Sequence, residues 1–179
     1  MSTERFHNDD LTIRDAIKED MTTVAEMIQE LADFENMPEG PKLTVKDLET
    51  HGFKSSPPAF RCKIAETTSD QAVLGYALYY PTYSTWEGRS MMLEDLYVRP
   101  SERKRGVGKR LFNSVAKEAI KLGSSRLDFH VLEWNPARAF YESKGAVNLT
   151  KSEDWCYYRL TGDPLLLAAG KDSDDELQN

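Results

Sequence analysis

Glu94 and Asp95 stand side by side in an apolar run, Met91-Met92-Leu93-Glu94-Asp95-Leu96-Tyr97-Val98, and a basic glycine turn follows, Arg103-Lys104-Arg105-Gly106-Val107-Gly108. A carboxylate in such a run can take a proton from a nucleophile. Glycines let the backbone approach a ligand, and the helix after them aims unpaired N–H groups and a positive dipole end at an anion. Arginine and lysine around the turn add charge-assisted bonds to phosphate, so a pyrophosphate is the natural guest. The turn is not a Walker loop, which needs a leading glycine and a trailing hydroxyl. Nor is it a Rossmann fingerprint, because no third glycine follows in Gly-x-Gly-x-x-Gly spacing. Neighbouring strand residues face opposite sides, so Glu94 and Asp95 cannot share one cleft without a bulge.

These groups need elements to hold them. The run from Met91 to Val98 has the length and β-favouring end of a buried strand, and Arg99-Pro100-Ser101-Glu102 breaks it. From Lys109 to Leu122 the spacing predicts a helix whose apolar face is Val107, Leu111, Val115 and Ala119, closed by Gly123. Upstream, Leu11 to Arg14 reads as a short strand. A helix follows from Asp20 to about Asp33 with Met21, Val24, Ala25, Ile28 and Leu31 as its inner stripe. Thr44 to His51 reads as a second helix opening on a Thr-x-x-Asp capping box. Arg61 to Glu66, Ala72 to Tyr83 and Met91 to Val98 form an antiparallel meander. Arg126 to Leu132 is a further strand, then a helix runs through Phe140 and Tyr141 to Lys144, and Ala146 to Leu149 and Trp155 to Leu160 are read as closing strands. The pattern is α/β (α+β): a mixed, mostly antiparallel sheet flanked by helices, in one domain over residues 11–168, with 1–10 flexible and 169–179 an acidic disordered tail.

Composition excludes several classes. The net charge of −7 argues against a nucleic-acid binder and suits cationic partners, although Lys171 to Asn179 carries −3 of it. A rival non-catalytic module would use Arg99, Arg103, Lys104, Arg105, Lys109 and Arg110 to hold nucleic acid, but no aromatics interleave with them. Cys62 and Cys156 are too few and too far apart for a zinc site or a disulfide framework, and both are expected buried and reduced. No metal site is expected. No apolar run approaches a membrane span, and Met1 to Asp10 is polar, unlike a signal peptide. A cytoplasmic setting without membrane or nucleic-acid partners is the expectation.

The glycine turn resembles the Arg/Gln-x-x-Gly-x-Gly signature of the GNAT N-acetyltransferase superfamily, in which the coenzyme A pyrophosphate rests on this loop. A second segment, Trp134-Asn135-Pro136-Ala137-Arg138-Ala139-Phe140-Tyr141-Glu142-Ser143-Lys144-Gly145-Ala146, is similar to the family's Asn…Phe-Tyr-x-x-x-Gly stretch. Six steps separate Asn135 from Tyr141, where the family commonly has seven, and Lys104 replaces a glycine of the polyamine enzymes' loop. Glu-Leu-Ala-Asp-Phe-Glu (30–35), His51-Gly52-Phe53, Tyr79 to Arg89, Leu93-Glu94-Asp95 and Glu153-Asp154-Trp155 extend the resemblance to the spermidine/spermine and thialysine acetyltransferases, with a lean to the thialysine branch.

The resemblance implies acetyl transfer from acetyl-CoA to a small amine, with thialysine or a lysine-like amino acid first, a diamine or polyamine second, and a protein lysine as a more distant alternative. An alkyl amine with a pKa near 10.4 is only about 0.1% neutral at physiological pH, so the nucleophile must lose a proton. The resemblance gives Glu94 that task through a water and makes Tyr141 the acid that protonates the departing thiolate. It assigns coenzyme A to Leu96, Tyr97 and Val98, to Arg103, Lys104, Arg105, Gly106, Val107, Gly108 and Lys109, and to Asn135 and Lys144. Phe34, Glu35, Trp86, Glu94 and Glu153 would line the amine site, and a homodimer is implied.

Overall fold

The computed structural model describes residues 10–170, so the expected loose start 1–10, all but residue 10, and the expected acidic tail 169–179, all but residues 169 and 170, lie outside the described residues. The backbone forms two compact units, one through Leu132 and one from Glu133 onward.

The first unit is a five-stranded sheet in the order β1-β2-β3-β4-β5, with β1 Leu11–Asp15, β2 Arg61–Thr67, β3 Val73–Ser84, β4 Gly88–Val98 and β5 Leu127–Phe129. The first four strands pair antiparallel in sequence order, so the expected meander is present. Strand β5 joins β4 in parallel through Met91–Leu127, Met92–Asp128 and Leu93–Phe129 only, shorter than the expected 126–132.

Helices cover both faces. α1 (Met21–Phe34) and α2 (Val45–Glu49) pack on one side, where Met21, Val24, Met27 and Leu48 meet Ile64, Tyr76, Leu78 and Tyr97. α3 (Val107–Lys121) covers the other, where the four expected residues Val107, Leu111, Val115 and Ala119 are all buried against Ala65, Ala77, Tyr79, Met91 and Leu93. Each fully buried aliphatic chain contributes about 1.5–3 kcal/mol, which holds α3 and the glycine turn before it against the sheet. The Thr44 capping box forms: the Thr44 N–H donates to Asp47 at 2.8 Å and the Asp47 N–H to Thr44 Oγ1 at 3.2 Å. α2 itself is shorter than expected and passes into a π-helical turn, Thr50–Lys54.

The second unit departs from the sequence reading. It contains α4 (Ala137–Glu142), α5 (Leu149–Ser152) and α6 (Asp163–Ala168). Ala146 to Leu149 is not a strand, and Trp155 to Leu160 has no regular structure and is exposed. The aromatic, β-branched composition that suggested strands needs a paired edge to realise it, and among the described residues these segments pair with none. Cys156 lies in the same stretch and is exposed, whereas Cys62 is buried as expected.

Candidate active site

A β-bulge puts the two acids on one face. Leu78 pairs with Asp95 and Tyr79 with Leu93, which leaves Glu94 as an extra residue in β4. Up to that point Met91 and Leu93 point to the α3 side; beyond it Tyr97 belongs to the α1 side. Tyr76 and Tyr80 stand four apart on β3 and therefore share a face. The Tyr80 hydroxyl donates to Glu94 Oε2 at 2.9 Å and the Tyr76 hydroxyl to Asp95 Oδ2 at 3.0 Å. Glu94 is exposed and Asp95 half-buried.

The end of α1 brings further groups to this face. Glu35 follows the helix, half-buried, and burial pushes its carboxyl above the usual range. Burial also pushes Asp95 up to about 6, with Tyr76 pulling it down and the charges of Glu94 and Glu35 pushing it higher. Glu30 accepts the Tyr97 hydroxyl at 2.9 Å and pairs with Arg99 at 3.3 Å, which ties α1 to the end of β4. Acidic and aromatic side chains so gathered suit a cation with methylenes: carboxylates answer the charge and ring faces the chain. Phe34 is already covered by a cation, since the Arg103 guanidinium lies 5.1 Å from its ring centre and 5.6 Å from that of Tyr97.

The glycine turn opens α3 as expected. Gly106 has φ +82°, which only glycine adopts freely, and the first intrahelical bond runs from the Arg110 N–H to the Gly106 carbonyl at 3.0 Å. The N–H groups of Val107, Gly108 and Lys109 precede that bond and face outward at the helix start. Lys104 and Lys109 are exposed beside them. Arg103 donates from Nε to the Val98 carbonyl at 2.9 Å, and Arg105 pairs with Glu102. Lys104 sits at φ +62°, a left-handed conformation that a residue with a side chain adopts only under strain. Leu96, Tyr97 and Val98 lie past the point where the β4–β5 ladder ends, at Leu93 and Phe129. The donor set therefore fits a pyrophosphate, and the strand edge fits an extended amide chain.

Of the other expected site residues, Trp86 belongs to the first unit and Tyr141, Asn135, Lys144 and Glu153 to the second. Trp86 lies at the tip of the β3–β4 hairpin and is 81% exposed. In the second unit Tyr141 is buried, and burial pushes its phenol up to about 12. Asn135 uses its side-chain oxygen to accept the Ala137 N–H at 2.9 Å, an Asx turn that starts α4. Lys144 Nζ lies 5.9 Å from the Phe140 ring centre, and Glu153 is exposed and accepts the Trp155 indole N–H at 2.6 Å. Sequence reasoning gave Tyr76, Tyr80, Glu30 and Arg99 no role at this face, although Glu30 and Tyr80 fall within the segments of resemblance and Arg99 among the cations of the rival module. The two tyrosines were findable, because four-residue spacing on a strand paired with the acid-bearing one places both phenols across from it.

Comparison with known proteins agrees with this arrangement. The acetyltransferase (GNAT) family model matches residues 24–146. The thialysine N-epsilon-acetyltransferase of Bos taurus is 37% identical over 166 residues, covering 89% of this chain and 97% of that protein. The human spermidine/spermine N(1)-acetyltransferase-like protein 1 is 35% identical over 160 residues, 86% of this chain but 23% of that longer protein. An integron cassette protein from the mobile metagenome of V. cholerae has the same fold at TM-score 0.70 and 26% identity, covering 89% of this chain and 98% of that one. A basic glycine turn at a helix start, an acid-bearing strand and these likenesses converge: the chain belongs to the GNAT acetyltransferase family.

Proposed function

We propose that this acetyltransferase moves the acetyl group of acetyl-CoA onto the primary amine of a small lysine-like amino acid, thialysine among them. The observation that carries the reading is the bulge that turns Glu94 and Asp95 onto the same face as Glu35 and Phe34. Acetyl-CoA supplies the activated acyl carbon. The amine nitrogen attacks that carbon, the carbon–sulfur bond breaks, the amine's proton passes through water to Glu94, and the thiolate takes a proton from Tyr141. A phenol pushed up to about 12 stays protonated at neutral pH and so remains a donor. Val107, Gly108 and Lys109 would hold the pyrophosphate with their N–H groups, Arg103, Lys104 and Arg105 would add charge, and Leu96 to Val98 would pair with pantetheine as an added strand does. Asn135 and Lys144 complete the coenzyme set, and Trp86 and Glu153 the amine site, on the strength of the family resemblance alone. Homodimerisation and a cytoplasmic location belong to the same reading; no helix among the described residues is long and apolar enough to cross a membrane.

A diamine or spermidine is the second reading. The number of carboxylates near the end of α1 favours it, since Glu30, Glu35, Glu94 and Asp95 exceed what one ammonium needs. A panel of thialysine, lysine, ornithine, spermidine and short diamines with acetyl-CoA, read by free thiol release, separates the two. Preference for amino-acid amines supports the first reading, preference for spermidine the second, and no thiol release with any of them overturns both. Tyr141→Phe is expected to lower turnover about a hundredfold with acetyl-CoA binding intact, and unchanged turnover would remove the acid role.

A further inference from the structure

Tyr76 is fully buried, and the chemistry above does not use it. Its ring packs 6.4 Å from that of Tyr97, within the layer under α1. A buried phenol satisfied by a carboxylate that is itself short of solvent is a costly arrangement unless it does something. Here the pair sits immediately beside the extra residue of β4. Without the bulge, Asp95 would follow the alternation set by Met91 and Leu93 and face α3, away from Glu94. A bulge breaks ladder pairing and must be held by something else. The Tyr76–Asp95 and Tyr80–Glu94 bonds grip both acids from the same face of β3.

We propose that Tyr76 and Asp95 are positioning residues for Glu94: their hydrogen bond pins the one-residue bulge at Glu94, which sets both carboxylates on the amine side of the sheet and fixes where the Glu94 carboxylate projects. The inference rests on the reading of Glu94 as the base. The grip is strongest with Asp95 ionised, because a carboxylate accepts more strongly than a carboxylic acid. Among the described residues the groups facing Asp95 are Glu94 on its own strand, Glu35 after α1, Tyr76 on β3 and Cys62 on β2. Tyr76 favours the ionised form and the carboxylates oppose it. Catalysis should therefore fall as Asp95 takes up its proton.

Four variants of the full chain test this: Tyr76→Phe, Asp95→Asn, Glu94→Gln and, as a control for loss of a buried phenol on the opposite face, Tyr79→Phe. Turnover, KM for each substrate and the pH profile of kcat/KM are read by thiol release between about pH 5 and 9. Tyr76→Phe should lower kcat roughly tenfold or more with KM for acetyl-CoA unchanged, and should move the acid limb up by about one unit because Asp95 loses its donor. Asp95→Asn keeps an acceptor for the phenol and should lose that limb, and Tyr79→Phe should leave it in place. Tyr76→Phe indistinguishable from Tyr79→Phe in both kcat and pH profile overturns the proposal. If Tyr76→Phe does not fold, an unmoved acid limb in Asp95→Asn overturns it. Glu94→Gln separates the two levels: inactive Glu94→Gln beside wild-type behaviour of the other variants removes the positioning pair and spares the base, whereas active Glu94→Gln removes both.

Discussion

Gly75 is expected to be irreplaceable for a reason that the glycines of the turn before α3 do not share. It faces Val98 across the β3–β4 ladder, and a Cβ there would approach the Tyr97 carbonyl oxygen more closely than real Cβ atoms do, with the Val98 Cα at 3.1 Å. Both obstacles are backbone, so no side-chain rotation relieves them. Overpacking of this kind costs about 1–3 kcal/mol, and the smaller unfolded-state entropy of alanine returns about 0.4–1 kcal/mol. The net loss of Gly75→Ala is thus about 1–2 kcal/mol, which for a chain of this size lowers Tm by about 2–8 °C. The strain would be released by moving Tyr97 and Val98, the backbone proposed to pair with pantetheine, so KM for acetyl-CoA should rise as well. Gly106→Ala is the contrast: nothing lies within 4 Å of a Cβ there, and its cost comes from φ +82° alone. Thermal melts and acetyl-CoA saturation curves of both variants decide the matter. A Gly75→Ala protein with wild-type Tm and KM would refute the close-approach argument.

Lys104→Gly should relieve a left-handed residue at about 1 kcal/mol, roughly half of it offset by the greater freedom of unfolded glycine; Tm should rise by about 1–2 °C while KM for acetyl-CoA increases through the lost cation. Thr44→Ala removes the capping box of α2 and should cost about 1 kcal/mol, seen as a lower denaturation midpoint with an unchanged slope. Asp95 gives stability an unusual pH dependence. Its folded pKa of about 6 lies above the unfolded value near 3.9, so the native state holds the proton more tightly, and stability falls as pH rises from about 4 to 6. Asp95→Asn should therefore raise Tm at pH 8 and lose that advantage by pH 4, and melts of the two proteins across that range test it.

Local rules made the first unit readable in outline. The buried face of α3 was legible because Val107, Leu111, Val115 and Ala119 repeat at one helical face, although the helix runs Val107–Lys121 and not from Lys109 to Leu122 as expected. The capping box at Thr44 was legible because both partners lie within three residues. The strands assigned to Ala146–Leu149 and Trp155–Leu160 were misread because strand character depends on a partner edge that lies elsewhere in the chain or outside it. The active face fell between these cases. Alternation alone sends Glu94 and Asp95 to opposite sides of the sheet, and only the pairing with β3 reveals the extra residue that reverses this. What the pairing adds is a physical reason for Tyr76. A phenol that donates from the buried layer can hold an acid just past the bulge, whereas phenylalanine at the same place would pack equally well and hold nothing.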